Sequence, residues 1–485
     1  MRARLSVLGV VLAVWCLVVA LVPLEGVPHV SDEVVYTLQA RLIAAGLLAG
    51  PGAPAPIPYP FWTAAPDAVW GAFPPGWPAL LALGEALGAP WLVNALLAGT
   101  LPYLVYLVAR ERFERNEAWI AALVMALSPG IWVLGASRMS HTSVLVALLV
   151  ATAVVLRKRD PMWAWLGAGV AVAYLVLARP FDALLLGAPL LIAGLWRAPS
   201  HLARALVVLP SLGAVSLVAL GNAALTLDAF TFATTAWFEA SVDRPGCNSL
   251  GFGEAIGCAP TLGDYGHTLE KAARQALLSL ERLDRLLLGI PGGSVLALVG
   301  LWLGRRKLWP LIPFLVLPVL GYALYWSPGA AYGARFYHPA YVLLPICVAL
   351  PLARWLPRLA ILPLALAGIG GGVLAYRDLD RSWWCSDGAV RDAVVEAGAT
   401  EGLLIYSSQG QLERFWPTLR VGMVCTSGLD DAMALVDPSG AGLQLTMAQA
   451  DSGSIEVMAQ QFGGPVWLIE HDLVEGTATL TRVSR

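Results

Sequence analysis

A few short polar clusters interrupt an otherwise apolar chain, and their residue types suit phosphate and acid-base chemistry. Ser31-Asp-Glu-Val-Val-Tyr36 carries the adjacent carboxylates Asp32 and Glu33, with Gln39 and Arg41 following. One carboxylate beside an acceptor hydroxyl can act as a general base, and two can hold a divalent cation, Mg or Mn, between phosphate oxygens. The same residues also suit a helix start, with Ser31 as N-cap and the acids favouring the dipole. Ser137-Arg-Met-Ser-His-Thr142 offers Arg138 and His141 to a phosphate, although an Arg at an interface also snorkels. In Leu177-Ala-Arg-Pro-Phe-Asp182, Arg179 and Asp182 can pair with each other as readily as with a ligand. Ala334-Arg-Phe-Tyr-His-Pro-Ala-Tyr341 sets Arg335 and His338 among aromatic rings, a group able to clamp phosphate and stack on a sugar, or to serve as an aromatic belt. Trp70-Gly-Ala-Phe-Pro-Pro-Gly-Trp-Pro78 reads as an ordinary Pro-led helix start.

The elements that must position these residues are membrane helices. Of 485 residues, 58% are hydrophobic and 13% charged, and the mean hydropathy is +0.69, far from the balance of a soluble domain. A net charge of -2 supplies no basic surface for nucleic acid. About eleven runs are long and apolar enough to read as spans: 5–22, 91–109, 119–134, 142–156, 163–177, 181–196, 202–220, 292–303, 308–326, 337–352 and 359–376. Arg2 and Arg4 precede the first run as they would in a signal peptide, but no A-x-A site follows, so it reads as an uncleaved helix. Basic clusters at 110–115, 157–160, 196–204, 305–307 and 354–358 all fall on one face, which the positive-inside rule makes cytoplasmic along with the N-terminus. The polar clusters then share the outer face.

Three outer segments are large. The first, 25–90, is rich in Pro, Gly and aromatic residues and ends in an apolar interfacial stretch, 78–87. The second, 222–291, includes 267–288, where Leu269, Ala273, Leu277, Leu280 and Leu287 recur at helical spacing with charges on other faces, as in a surface-lying helix. The third, 377–485, alternates short strand-like runs with helical stretches and reads as a small extramembrane α/β domain beyond a transmembrane domain, 1–376. Cys16 and Cys347 lie within spans. The other four cysteines lie outside, where disulfides persist, and sequence order predicts Cys247–Cys258 and Cys385–Cys425.

The order of the motifs resembles the GT-C superfamily: an acidic pair after the first helix, an aromatic-Pro-Pro segment before the second, Arg-Pro between middle spans and Arg-Phe-x-x-Pro before a late one. Over 1–376 the chain is similar to family 39-like bacterial membrane glycosyltransferases, relatives of the protein O-mannosyltransferases and of the lipid A aminoarabinose transferase. The resemblance implies a mainly α, polytopic bundle in the bacterial cytoplasmic membrane. It also implies an inverting sugar transfer from a polyprenyl-phosphate carrier, at the outer leaflet, to an envelope lipid, glycan or protein. It makes Asp32 the first candidate base, Glu33 the next, and Arg335 a phosphate ligand. His141, Arg179 and Asp182 are added by position, as are Arg138 and His338. No counterpart of the second-loop acid of some relatives stands out, with Asp67 and Glu85 in range, and no Lys precedes the Pro pair. Two other functions suit the sequence: a transporter, which would show repeat halves and mid-bilayer polar sites, and a non-catalytic envelope-assembly scaffold.

Overall fold

The computed structural model describes residues 1–52, 60–64, 68–157, 161–242, 244–259, 265–329, 331–355, 366, 368–370, 388–407, 432–439, 442–448, 462, 464–472 and 477–483. Cys385, Cys425, Asp67 and most of the expected last span lie outside these residues. The chain forms two compact units, one of Met1–Val19, Pro74–Trp77 and Leu92–Tyr376, the other of Ala20–Phe73, Pro78–Trp91 and Arg377–Arg485.

The first unit is helical. Among the described residues, four helices, Arg2–Leu21, Trp91–Arg110, Pro180–Arg197 and His201–Thr226, are each long and apolar enough to cross a membrane. Counting bent pairs as single spans raises the number to seven, and His141–Leu156, Met162–Ala178 and Pro313–Tyr322 are shorter apolar helices. Every expected span but the last therefore coincides with a helix or a bent pair. The bends have local causes. Arg115–Leu127 meets Pro129–Ala136 at 54°, because Ser128 precedes a proline and cannot stay helical. Leu269–Leu288 meets the following helix at 87° across Gly289, whose φ of 75° ends the first helix.

Small residues set the helix contacts, as they must where apolar surface gives no preference between protein and lipid. A Cβ at Gly169 would meet the main chain of Leu206 and Val207, one at Gly300 that of Cys347, and one at Gly99 the Gly9 carbonyl. Around the first of these, Ala164, Trp165, Ala168, Ala203 and Val207 form a buried cluster. The helix Leu269–Leu288 buries Ala272, Gln275, Ser279, Leu283 and Leu287 against this unit. Its Leu269, Leu277 and Leu280 stay exposed, which gives the expected surface-lying helix an outward apolar stripe. The Cys247–Cys258 disulfide is formed. The loop that carries it is stitched down where the Trp326 indole donates to Asn248 Oδ1 (3.2 Å) and where His267 Nε2 and the Ala323 carbonyl lie 3.0 Å apart.

In the second unit, the segment after the first helix shares its core with the C-terminal segment, whereas the sequence had assigned it to the transmembrane domain. Val34, Val35, Leu38 and Leu42, on one face of the helix Ser31–Ala44, are buried with Val390, Val394, Leu404, Tyr406, Ala432, Met433 and Ile469. The Arg41 guanidinium donates to the Ala434 and Val436 carbonyls (2.6 and 2.8 Å) and to Glu85 (3.3 Å). A three-stranded antiparallel sheet, β1 (Gly50–Pro51), β2 (Trp62–Ala64) and β3 (Ala68–Gly71), has order β1-β3-β2. The C-terminal sheet, β4 (Gly402–Ser407), β5 (Leu443–Ala448), β6 (Val466–Asp472) and β7 (Thr477–Arg482), has order β5-β4-β6-β7. Central β4 is parallel to both neighbours, as suits its continuous apolar run Leu403-Leu-Ile-Tyr406, and the polar strand β7 closes the edge antiparallel to β6.

Candidate functional site

Proline places the first member of the site. Pro180 pushes Arg179 out of the helical region (φ -146°, ψ 82°), so the helix Met162–Ala178 stops there and another starts at Pro180. The new helix carries Asp182 one turn on and then widens into a π-turn over Ala183–Gly187, a distortion that often accompanies functional residues. Arg179 Nε donates to Asp182 Oδ2, so these two residues do pair with each other. The hydroxyl of Tyr322 joins them, accepting from Arg179 Nη2 at 2.7 Å and donating to Asp182 Oδ1 at 2.9 Å. Arg179 Nη1 lies 3.0 Å from His141 Nε2. A guanidinium can only donate, so His141 is the acceptor and carries its proton on Nδ1.

The Arg-Phe-x-x-Pro segment supplies the other side. Pro339 lies in a 3-10 turn, Arg335–Val342, that brings Phe336 and His338 inward. The Phe336 ring stacks on Tyr322, centroids 4.4 Å apart and 8° from parallel. Both guanidiniums reach that ring, Arg179 at 5.7 Å and Arg335 at 5.3 Å from its centroid, within cation-π range of one phenyl group. Gly329, at φ +57°, is needed behind it, because a Cβ there would enter the Phe336 ring. His338 stands edge-on to His141, 6.4 Å between centroids. Asp182, His141 and His338 are 1%, 2% and 3% exposed. Ionisable groups this deep among apolar helices are costly, and by default they mark a functional site.

Two motifs with no evident chemistry hold this cluster in place. The indole of Trp77, wholly buried, donates to the Arg138 carbonyl at 2.7 Å, and the Asn94 amide donates to the carbonyls of Ser137 and Met139 (2.6 and 2.7 Å). The turn that carries Arg138 and starts the helix at His141 is thus clasped from two sides. Gly76 lies directly against the backbone of Leu177 and Ala178, leaving no room for a Cβ beside Arg179. The Pro-Pro-Gly-Trp segment is therefore a clamp as well as a helix start. Sequence alone gave no sign of Tyr322 or Asn94, because a single Tyr or Asn in an apolar helix has no spacing signature.

Asp32 and Glu33 belong to the other unit. The helix begins at Ser31 with Val30 in the N-cap position, so Ser31 is not the cap the sequence suggested. Glu33 ties down the chain that leads into this helix, its Oε2 accepting the His29 main-chain N–H at 2.8 Å, and it is 1% exposed. Asp32 is half-buried in the same first turn. Gln39 reaches from this helix to the Gly71 and Phe73 carbonyls (3.2 and 2.8 Å), a structural tie like that of Arg41. Glu85 is engaged with Arg41. Among the described residues, no three His, Cys, Asp or Glu side chains converge so as to hold a metal ion.

Residues 74–221 match the family model described as dolichyl-phosphate-mannose-protein mannosyltransferase, a stretch holding the Trp77 clamp, Asn94, the Ser137–His141 turn and the Arg179-Pro180 break. No curated protein matches the sequence. Among solved structures, ArnT from Cupriavidus metallidurans bound to undecaprenyl phosphate is similar at TM-score 0.57 and 15% identity, over 96% of this chain and 92% of that one. The apo form of ArnT gives TM-score 0.51 and 13% identity, over 97% and 93% of the two chains. The Archaeoglobus fulgidus oligosaccharyltransferase AglB, in complex with an inhibitory peptide and a dolichol-phosphate, gives 0.44 and 14%, over 78% and 56%. The helical fold spans nearly the whole length of ArnT, and the matched segment carries one side of the buried cluster. The chain thus shares the fold of ArnT over nearly its whole length, and within it residues 74–221 are similar to the dolichyl-phosphate-mannose-protein mannosyltransferase family.

Proposed function

We propose that this protein transfers a sugar from a polyprenyl-phosphate carrier to an envelope lipid, glycan or protein at the outer face of the bacterial cytoplasmic membrane. The observation that carries the reading is the buried Arg179–Asp182–Tyr322–His141 assembly, with Arg335 beside the same Phe336 ring as Arg179. Two guanidiniums around one phenyl ring suit a phosphate diester that loses its sugar and becomes a more highly charged monoester. Asp182 and Tyr322 fix the Arg179 fork in advance, so that no reorganisation is needed when the charge develops. Likeness in fold to ArnT bound to undecaprenyl phosphate supports a polyprenyl carrier.

In the reaction proposed, Asp32 takes the proton of an acceptor hydroxyl. That oxygen attacks the anomeric carbon as the bond to the phosphate oxygen breaks, the electron pair leaves with the polyprenyl phosphate, and the configuration at carbon inverts. Asp32 is preferred to Glu33 because it is only half-buried, whereas Glu33 is buried and accepts the His29 main-chain N–H. The test compares intact masses and glycans of envelope lipids and proteins from cells carrying wild type, a deletion, or Asp32→Asn. One sugar missing from both altered strains is the expected result; an unchanged envelope, with the variant folded and inserted, would refute the transferase reading.

A further inference from the structure

At the ends of the helices Arg115–Leu127 and Leu344–Trp355 remote from the Arg179 cluster lies a cavity of about 830 Å³, bounded also by the C-terminal end of the helix Gly293–Leu308. Arg305, Arg306, Lys307 and Arg354 line its wall, and Leu303 and Leu350 its apolar side. Its two carboxylates are already used: Glu114 and Glu117 form a reciprocal capping box, with Glu117 Oε2 accepting the Glu114 N–H at 2.8 Å. Arg305 donates to the Trp302 carbonyl at 2.9 Å, and Lys307 lies 5.3 Å from the centre of the Phe113 ring. Among the described residues, the side chains of Arg306 and Arg354 have neither a hydrogen-bond nor an ion-pair partner. Three indoles at this end of the bundle, Trp302, Trp309 and Trp355, are 64%, 67% and 57% exposed. Exposed tryptophans of this kind mark the membrane–water boundary.

We infer that this cavity binds the headgroup of an anionic phospholipid, its phosphate held by Arg306 and Arg354 and its acyl chains running along the half-buried Leu303. The tryptophans put the cations at headgroup depth, and basic pockets between membrane helices take lipids of this charge. A free anion would satisfy the cations but would leave the apolar side of the cavity uncovered. The inference rests on the membrane fold and not on the transferase reading.

The test is native mass spectrometry of the delipidated full-length protein titrated with phosphatidylglycerol, phosphatidylcholine or inorganic phosphate. Wild type is expected to take up phosphatidylglycerol in preference to phosphatidylcholine. R306Q/R354Q should bind phosphatidylglycerol about thirtyfold more weakly, from roughly fivefold per charge removed, and R306K/R354K should retain most of the binding. Should the double glutamine variant fail to fold, R306Q and R354Q singly carry the test, each with about a fivefold loss. Equal phosphatidylglycerol binding by wild type and the glutamine variants would overturn the proposal, as would phosphatidylcholine binding as tightly. Displacement of the lipid by millimolar inorganic phosphate would overturn it in favour of a free anion.

Discussion

Tyr322 is the residue whose removal separates positioning from binding most cleanly. Tyr322→Phe keeps the stack on Phe336 but removes one hydrogen bond to Arg179 and one to Asp182. The expected cost is about 1–3 kcal/mol, or roughly tenfold or more in donor affinity, with the acceptor KM unchanged. A larger effect on acceptor KM than on donor affinity would contradict the assignment. The two adjacent acids should respond in opposite ways. Asp32→Asn is expected to lower kcat by about 10²–10⁴-fold, whereas Glu33→Gln should cost about 1 kcal/mol of stability by weakening the hydrogen bond from His29 and leave kcat largely intact. Kinetics and thermal unfolding of both variants read the difference. Sequence singled out both carboxylates, but only the hydrogen bond from His29 tells them apart, and a contact between residues four apart is invisible to residue type alone.

At the scale of elements, apolar run length located the helices well, because a bilayer demands both length and composition. Their ends were less legible. The break at Ser128 is held by a triangle of the Ser128 and Tyr341 hydroxyls and the Leu286 carbonyl, with edges of 2.8, 2.9 and 3.1 Å between residues far apart in the chain. The Pro-Pro-Gly-Trp segment reads as a helix start and also serves as a clamp, for the same reason: its partners are Arg138 and the backbone beside Arg179. Trp77→Phe should therefore lower donor affinity by about 1–3 kcal/mol through loss of one buried hydrogen bond, although that bond reaches only the main-chain carbonyl of Arg138. Donor titration of the folded variant checks this, and wild-type affinity would show that the turn holds itself. The Cys247–Cys258 loop makes an independent prediction: both cysteines should resist alkylation until reduced, and the double Ser variant should lose about 2–3 kcal/mol of local stability.

For the whole molecule, composition made the membrane character plain, but the way distant segments share a core was not legible. Short apolar runs between turn-rich stretches marked β4 and β6 as strands. Nothing in Val34, Val35, Leu38 and Leu42 indicates that their partners lie some 350 residues further on, at Val390 and Leu404. Ending the chain at residue 376 should strip that face of the helix Ser31–Ala44, so that 20–73 becomes protease-sensitive while the helices of the other unit remain protected; limited proteolysis reads this directly. The most direct test of the central claim is the binding of undecaprenyl phosphate to the purified full-length protein, wild type against Arg179→Lys. The lysine keeps the charge beside Asp182 but loses the guanidinium fork, which should spare folding and weaken binding by about tenfold or more. Wild-type affinity in the folded lysine variant would mean that the buried cluster does not hold the carrier phosphate.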